Sequence, residues 1–171
     1  AGAEQRYVGD DLLELARLRA PQQVALPRTL ELKQADGARR AQELEGGGII
    51  NMVGGSMAEI NNHAATTNPG YPQGTTDTLT INGSYTQEPG GSLEIELGGT
   101  TAGIEHDQLV VNGAVTLDGT LQISYVNGFV PVIGQQFVIL TCGSRAGRFA
   151  GVTGPDSYTL AYNPTNVTLT V

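Results

Sequence analysis

Asp77-Thr78-Leu79-Thr80-Ile81-Asn82-Gly83-Ser84-Tyr85-Thr86, set above Asp107-Gln108-Leu109-Val110-Val111-Asn112-Gly113-Ala114-Val115-Thr116, repeats Asp, Leu, Asn, Gly and Thr in register at a spacing of 30 residues. After a two-residue shortening the match resumes, with Gly91-Ser92-Leu93-Glu94-Ile95 over Gly119-Thr120-Leu121-Gln122-Ile123. A fixed period of about 20–50 residues marks a repeat architecture, in which each unit covers the apolar face of the next.

The units read as strands. In Ser92-Leu93-Glu94-Ile95-Glu96-Leu97 the leucines and isoleucine face one side and the two glutamates the other, a period of two that predicts a half-buried strand with Glu94 and Glu96 in solvent. Leu79–Ile81, Leu109–Val111, Val115–Leu117, Leu121–Tyr125, Phe137–Leu140, Tyr158–Tyr162 and Val167–Val171 follow the same rule. Asn-Gly recurs at 82–83, 112–113 and 127–128. Between alternating runs it is the signal of a type I′ hairpin, which would give an antiparallel β-sandwich. In a β-solenoid the same pairs would be tight corners, since both residues tolerate positive φ. Periodicity leaves both uses open, and either makes the chain all-β.

Charge divides the 171 residues in two. Seven of the nine basic residues lie in 1–41 with six acids, a net +1, whereas 42–171 hold only Arg145 and Arg148 against 11 acids, a net −9, and nearly all the glycine. Residues 1–41 thus form an N-terminal helix-strand arm and 42–171 a Gly-rich acidic β domain. In the arm, Asp10 to Ala20 has acids first, bases last and leucines at 12, 15 and 18, an amphipathic helix stopped by Pro21. A helix that short needs its apolar stripe docked. Arg28 to Lys33 alternates, placing Leu30 and Leu32 on one face of a strand that Pro27 confines to an edge or a strand start. Gln34 to Glu45 is open between a second short helix and none, because Gly37 interrupts its alanines.

The pI near 4.6 argues against a phosphate-binding surface, so nucleic acid is not expected as a partner. No apolar run is long enough for a membrane helix, so no membrane insertion is expected. The start carries no cationic and apolar export signal, so none is expected to remain attached. The single Cys142 excludes an internal disulfide framework and a multi-cysteine metal site.

Residues 46–171 resemble the right-handed parallel β-helix segments of autotransporter passengers and related large bacterial surface proteins. The resemblance rests on Leu44-Glu45-Gly46-Gly47-Gly48-Ile49, Asn68-Pro69-Gly70-Tyr71-Pro72-Gln73-Gly74, Leu79 to Gln87, Gly90-Gly91-Ser92-Leu93-Glu94-Ile95-Glu96-Leu97, Asp107 to Gly113 and Gly119-Thr120-Leu121. It implies a right-handed parallel β-solenoid at the cell surface or outside the cell, structural in role. It carries over no catalytic residue. The chain departs from such passengers in length, in its arm and in lacking a terminal membrane barrel, so it is not expected to anchor itself.

No convergent acid and base pair is visible, and neither enzyme activity nor a cofactor nor a metal is expected. Glu105-His106-Asp107 is the one local titratable cluster, and Asp107 repeats Asp77, which suits both to capping a coil corner. Asn61 to Pro72 is the longest polar, turn-rich stretch, and Asn61, Asn62, His63 and Tyr71 are its candidate ligand residues. Solenoid ends must be capped or must pair with another copy. The expected function is therefore a secreted structural subunit that self-associates into a cell-surface fibre or extracellular filament, through Leu12, Leu15, Leu18, Leu30 and Leu32. The alternative is an adhesin or carbohydrate-binding module that uses the 61–72 stretch to hold glycans.

Overall fold

The computed structural model describes residues 28–32, 41–44, 48–52, 56–57, 59–70 and 72–171, with side chains from residue 60 onward. The described residues contain strands and no helix, so the all-β reading holds. The predicted helix at Asp10–Ala20, with Leu12, Leu15 and Leu18, lies outside them.

In chain order the strands are β1 (Arg28–Leu32), β2 (Ala41–Leu44), β3 (Gly48–Met52), β4 (Ser56–Met57) and β5 (Glu59–Asn62). Next come β6 (Thr66–Asn68), β7 (Thr78–Ile81), β8 (Tyr85–Gln87), β9 (Ser92–Leu97) and β10 (Gln108–Leu117). The last are β11 (Thr120–Tyr125), β12 (Gln136–Gly147), β13 (Gly151–Thr153), β14 (Thr159–Asn163) and β15 (Asn166–Thr170). The chain passes back and forth between two sheets. One has six strands in the order β1-β3-β6-β9-β11-β13, and the other nine, with a spine β14-β15-β12-β10-β8-β5-β2 and β4 and β7 beside it.

The six-stranded sheet is parallel throughout. Its partner is parallel until β12, where β15 and β14 add antiparallel rungs. The sequence repeat is the register of these ladders. Leu79 pairs with Leu109 and Tyr85 with Val115, an offset of 30, while Leu93 pairs with Leu121, an offset of 28. Equivalent residues therefore sit over one another. Leu79, Leu109 and Leu140 form one buried column, Leu93 and Leu121 another, and Ile95 and Ile123 a third. Each fully buried aliphatic side chain contributes about 1.5–3 kcal/mol over its exposed state.

The Asn-Gly pairs play three different parts. Asn82-Gly83 closes no hairpin, because β7 and β8 on either side both run parallel to β10. Asn112-Gly113 lies inside β10 at a register shift, where a Cβ on Gly113 would stand 2.3 Å from the Gly83 carbonyl oxygen. Asn127-Gly128 alone takes positive φ at both residues, 54° and 71°, in a turn closed by the Phe129 N–H on the Val126 carbonyl at 3.0 Å. Residues 41–44, inside the stretch open between helix and no helix, are strand β2.

Glu94 and Glu96 are the clearest correction. They were expected on a solvated face, yet they are only 9% and 2% exposed, and every residue of β9 is buried. Alternation correctly separates them from Leu93, Ile95 and Leu97. It cannot register that Asn68, Gln73 and Gly74 meet the glutamate face with hydrogen-bond donors.

Candidate functional site

Three places carry chemistry: the covered carboxylates, the Asn61–Pro72 stretch, and the two ends of the sheets.

At the first, Glu94 Oε1 accepts from Gln73 Nε2 at 3.1 Å, and Glu96 Oε1 accepts from the Gly74 N–H at 2.8 Å. Asp107 holds the corner, its Oδ1 accepting from the Asp77 N–H at 2.9 Å and its Oδ2 from the Glu96 N–H at 3.0 Å. Gly70 packs so tightly there that a Cβ would stand 2.9 Å from Asp107 Oδ1. Burial pushes the Asp107 carboxyl up to about 7, against two backbone donors that favour its charge, with Glu96 and Glu94 adding to the rise. Burial also raises Glu96, and its second oxygen, Oε2, has no hydrogen-bond partner. The cluster is a polar joint with excess negative charge, and among the described residues no three His, Cys, Asp or Glu side chains converge to hold a metal.

Glu105, His106 and Asp107 separate into distinct tasks. Glu105 Oε2 accepts from the N–H groups of Thr100 and Thr101 at 3.0 and 2.8 Å in an exposed loop. His106 is buried edge-on to Phe137, with ring centroids 5.3 Å apart, and burial lowers its pKa. This histidine packs against the core as a neutral ring.

The Asn61–Pro72 stretch is more ordered than its composition suggests, since β5 and β6 occupy much of it. Asn62 is buried. Its Nδ2 donates to Thr67 Oγ1 and the Ser92 carbonyl at 3.2 and 3.1 Å, and its Oδ1 accepts from the Ala65 N–H at 2.8 Å. His63 Nδ1 lies 2.8 Å from Glu88 Oε2. Asn61 is partly exposed at the end of β5, and Tyr71 lies outside the described residues. Beneath them the Tyr85 hydroxyl lies 2.8 Å from Gln87 Oε1 and 3.1 Å from Thr67 Oγ1, and burial pushes its pKa up to about 12. Of the four candidate ligand residues, the structure spends Asn62 on the fold and pairs His63 with an acid.

The sheet ends bear on assembly. Among the described residues β1, which carries Leu30 and Leu32, is the outermost strand of the six-stranded sheet, and β13 is the outermost at the opposite edge. The side chains of Leu30 and Leu32 lie outside those described. The nine-stranded sheet finishes differently. The β14–β15 hairpin pairs along Gln136–Thr141 of β12, with Val167 and Leu169 fully buried. Beyond it, the Arg145 guanidinium donates to the carbonyls of Asn163 at 3.0 Å, Tyr162 at 3.1 Å and Gly147, and lies 5.0 Å from the Tyr162 ring centroid. Arg148 sits 5.2 Å from the same centroid. The only two cations of residues 42–171 thus converge on one ring. Cys142, nearby, is half-buried, and burial raises its thiol pKa with a partial offset from Arg145, which marks it as unreactive.

Compared with known proteins, the chain matches no family model and no curated protein.

Proposed function

We propose that the chain is a secreted structural subunit, built as a short right-handed parallel β-solenoid, that self-associates into a cell-surface fibre or extracellular filament. The observation that carries the reading is the all-parallel six-stranded sheet with an edge strand at each end. Because β1 and β13 run in the same sense, β1 of one copy can continue β13 of another as a further parallel rung. A contact of this heterologous kind does not close on itself and so propagates. Alternation of the chain between two sheets at offsets of 28 and 30 residues supports the solenoid. The antiparallel hairpin at β14–β15 and the Arg145 plug leave the six-stranded sheet as the one suited to growth. Export and surface location rest on the resemblance to surface β-helix proteins.

Electron microscopy of purified protein tests the reading. Fibres of uniform width are expected, and they should shorten or vanish in Val152→Lys, which places a charge on the β13 edge. Dispersed single particles across salt and pH would overturn it.

A further inference from the structure

Residues 72–77 run between two ladders and end their hydrogen bonds on buried acids. Thr67 of β6 pairs with Leu93 before the segment, and after it the Asp77 carbonyl accepts from the Gln108 N–H at 3.0 Å. Between these anchors Gln73 Nε2 donates to Glu94 Oε1 at 3.1 Å, the Gly74 N–H to Glu96 Oε1 at 2.8 Å and the Asp77 N–H to Asp107 Oδ1 at 2.9 Å. Thr76 Oγ1 adds one bond, to the Ile104 carbonyl at 2.6 Å. Pro72, Gln73, Gly74 and Thr75 are all exposed, so the segment buries no hydrocarbon side chain of its own. It is a strap closed by polar contacts, the kind of segment that opens locally while the sheets beneath it stay paired.

The acids beneath the strap have no positive partner among the described residues. Glu94, Glu96 and Asp107 are all buried, and Glu96 Oε2, on a residue 2% exposed, lacks any hydrogen-bond partner. Across the β9–β11 register they face the uncharged Gln122 and Ser124. Asp77, in the strap, turns its Oδ1 to the Thr78 N–H at 2.7 Å. The neutral His106 ring lies against Phe137, with Nδ1 3.3 Å from the Gly99 carbonyl oxygen, and Glu105 is held by Thr100 and Thr101. Arg145 and Arg148 are occupied with the Tyr162 ring, and no three metal-ligating side chains converge here. Two events relieve buried negative charge in such a place: a proton neutralises it, or the strap lifts and water solvates it.

We propose that residues 72–77 are a proton-operated latch, closed over β9 while the Glu94, Glu96 and Asp107 cluster holds a proton and released as the cluster loses it. Release bares the glutamate face of β9 to water. It is a property of the single chain and does not depend on assembly. The closed form binds the proton more tightly than the open one, because burial beneath the strap pushes the Asp107 carboxyl up to about 7 and lifting the strap returns it to the ordinary carboxylate range. Rising pH therefore favours opening, by about a hundredfold between pH 5 and pH 8 from Asp107.

Amide hydrogen exchange of the full chain between pH 5 and pH 8, corrected for the intrinsic pH dependence of exchange, tests the latch. The Gly74 and Asp77 amides should lose protection about a hundredfold over that interval. At pH 8 they should be at least about tenfold less protected than the amides of the β9–β11 ladder, which open only with the fold. Glu96→Gln keeps the acceptor for the Gly74 N–H and removes one of the repelling charges, so it should shrink the pH response of both amides by about threefold or more. Protection at Gly74 and Asp77 that stays constant from pH 5 to pH 8 overturns the latch. Protection that falls in step with the β9–β11 ladder also overturns it, because the strap then opens only when the whole fold does. A Glu96→Gln response equal to that of the wild type overturns the assignment of the proton to this cluster.

Discussion

Strand β9 and the 128–134 loop invert each other. β9 buries two carboxylates beside three aliphatic residues, and the loop exposes three aliphatic residues with no charge nearby in sequence. A rule that sends charge outward and hydrocarbon inward fails at both, for the same physical reason. Residue pattern states which side chains share a face, while the cover on that face comes from elsewhere in the chain. In β9 the cover is Gln73 and Gly74, about twenty residues upstream, which supply the hydrogen bonds that let Glu94 and Glu96 leave water. At the loop no described residue covers Val130, Val132 and Ile133.

The largest test of this contrast is Leu93→Ala against Ile133→Ala. Leu93 lies at zero exposure in the column with Leu121, so its truncation should cost about 2–5 kcal/mol in urea unfolding. Ile133→Ala should move stability by less than about 0.5 kcal/mol. Equal effects would mean that the loop is packed within one molecule.

The carboxylates give the next effect. Asp107 and Glu96 both have folded pKa values above the usual carboxylate range, chiefly through burial. Their protonated forms are therefore favoured by folding, so the stabilisation is full below about pH 4 and is lost as pH rises through about 7 for Asp107. Thermal unfolding should show the domain less stable at pH 8 than at pH 5, by about 2–3 kcal/mol from Asp107. A midpoint that climbs over that interval would show that the hydrogen bonds to the carboxylates outweigh their burial. Glu96→Gln keeps the acceptor for the Gly74 N–H and removes a buried charge with no basic partner among the described residues. It should raise stability at pH 8 by roughly 1 kcal/mol and flatten part of the pH slope. Destabilisation at pH 8 would show that the charge is compensated.

Much of the architecture was legible because the repeat is also the pairing register. The 30-residue offset and its shortening to 28 reappear as Leu79↔Leu109 and Leu93↔Leu121. Strands β7, β9, β11 and β15 stand where alternation places them, and β1 starts at Arg28 and is the outermost described strand of its sheet, consistent with Pro27, which allows an edge or a strand start. β5 and β6 were not legible as strands. Glu59-Ile60-Asn61-Asn62 and Thr66-Thr67-Asn68 lack apolar alternation, and they are held by contacts such as Asn62 on the Ser92 carbonyl and Thr66 Oγ1 to Ser92 Oγ at 2.8 Å. Those partners lie 26 to 30 residues away, beyond any local pattern. Leu30 and Leu32 fall on an edge strand, whereas Val130, Val132 and Ile133 resemble core residues until the structure shows them in water.

Fibre diffraction from aligned assemblies tests the central claim most directly, because parallel rungs continued from copy to copy set every strand across the fibre axis. The account predicts a reflection near 4.8 Å on the meridian. The same spacing on the equator, with strands along the axis, would contradict it.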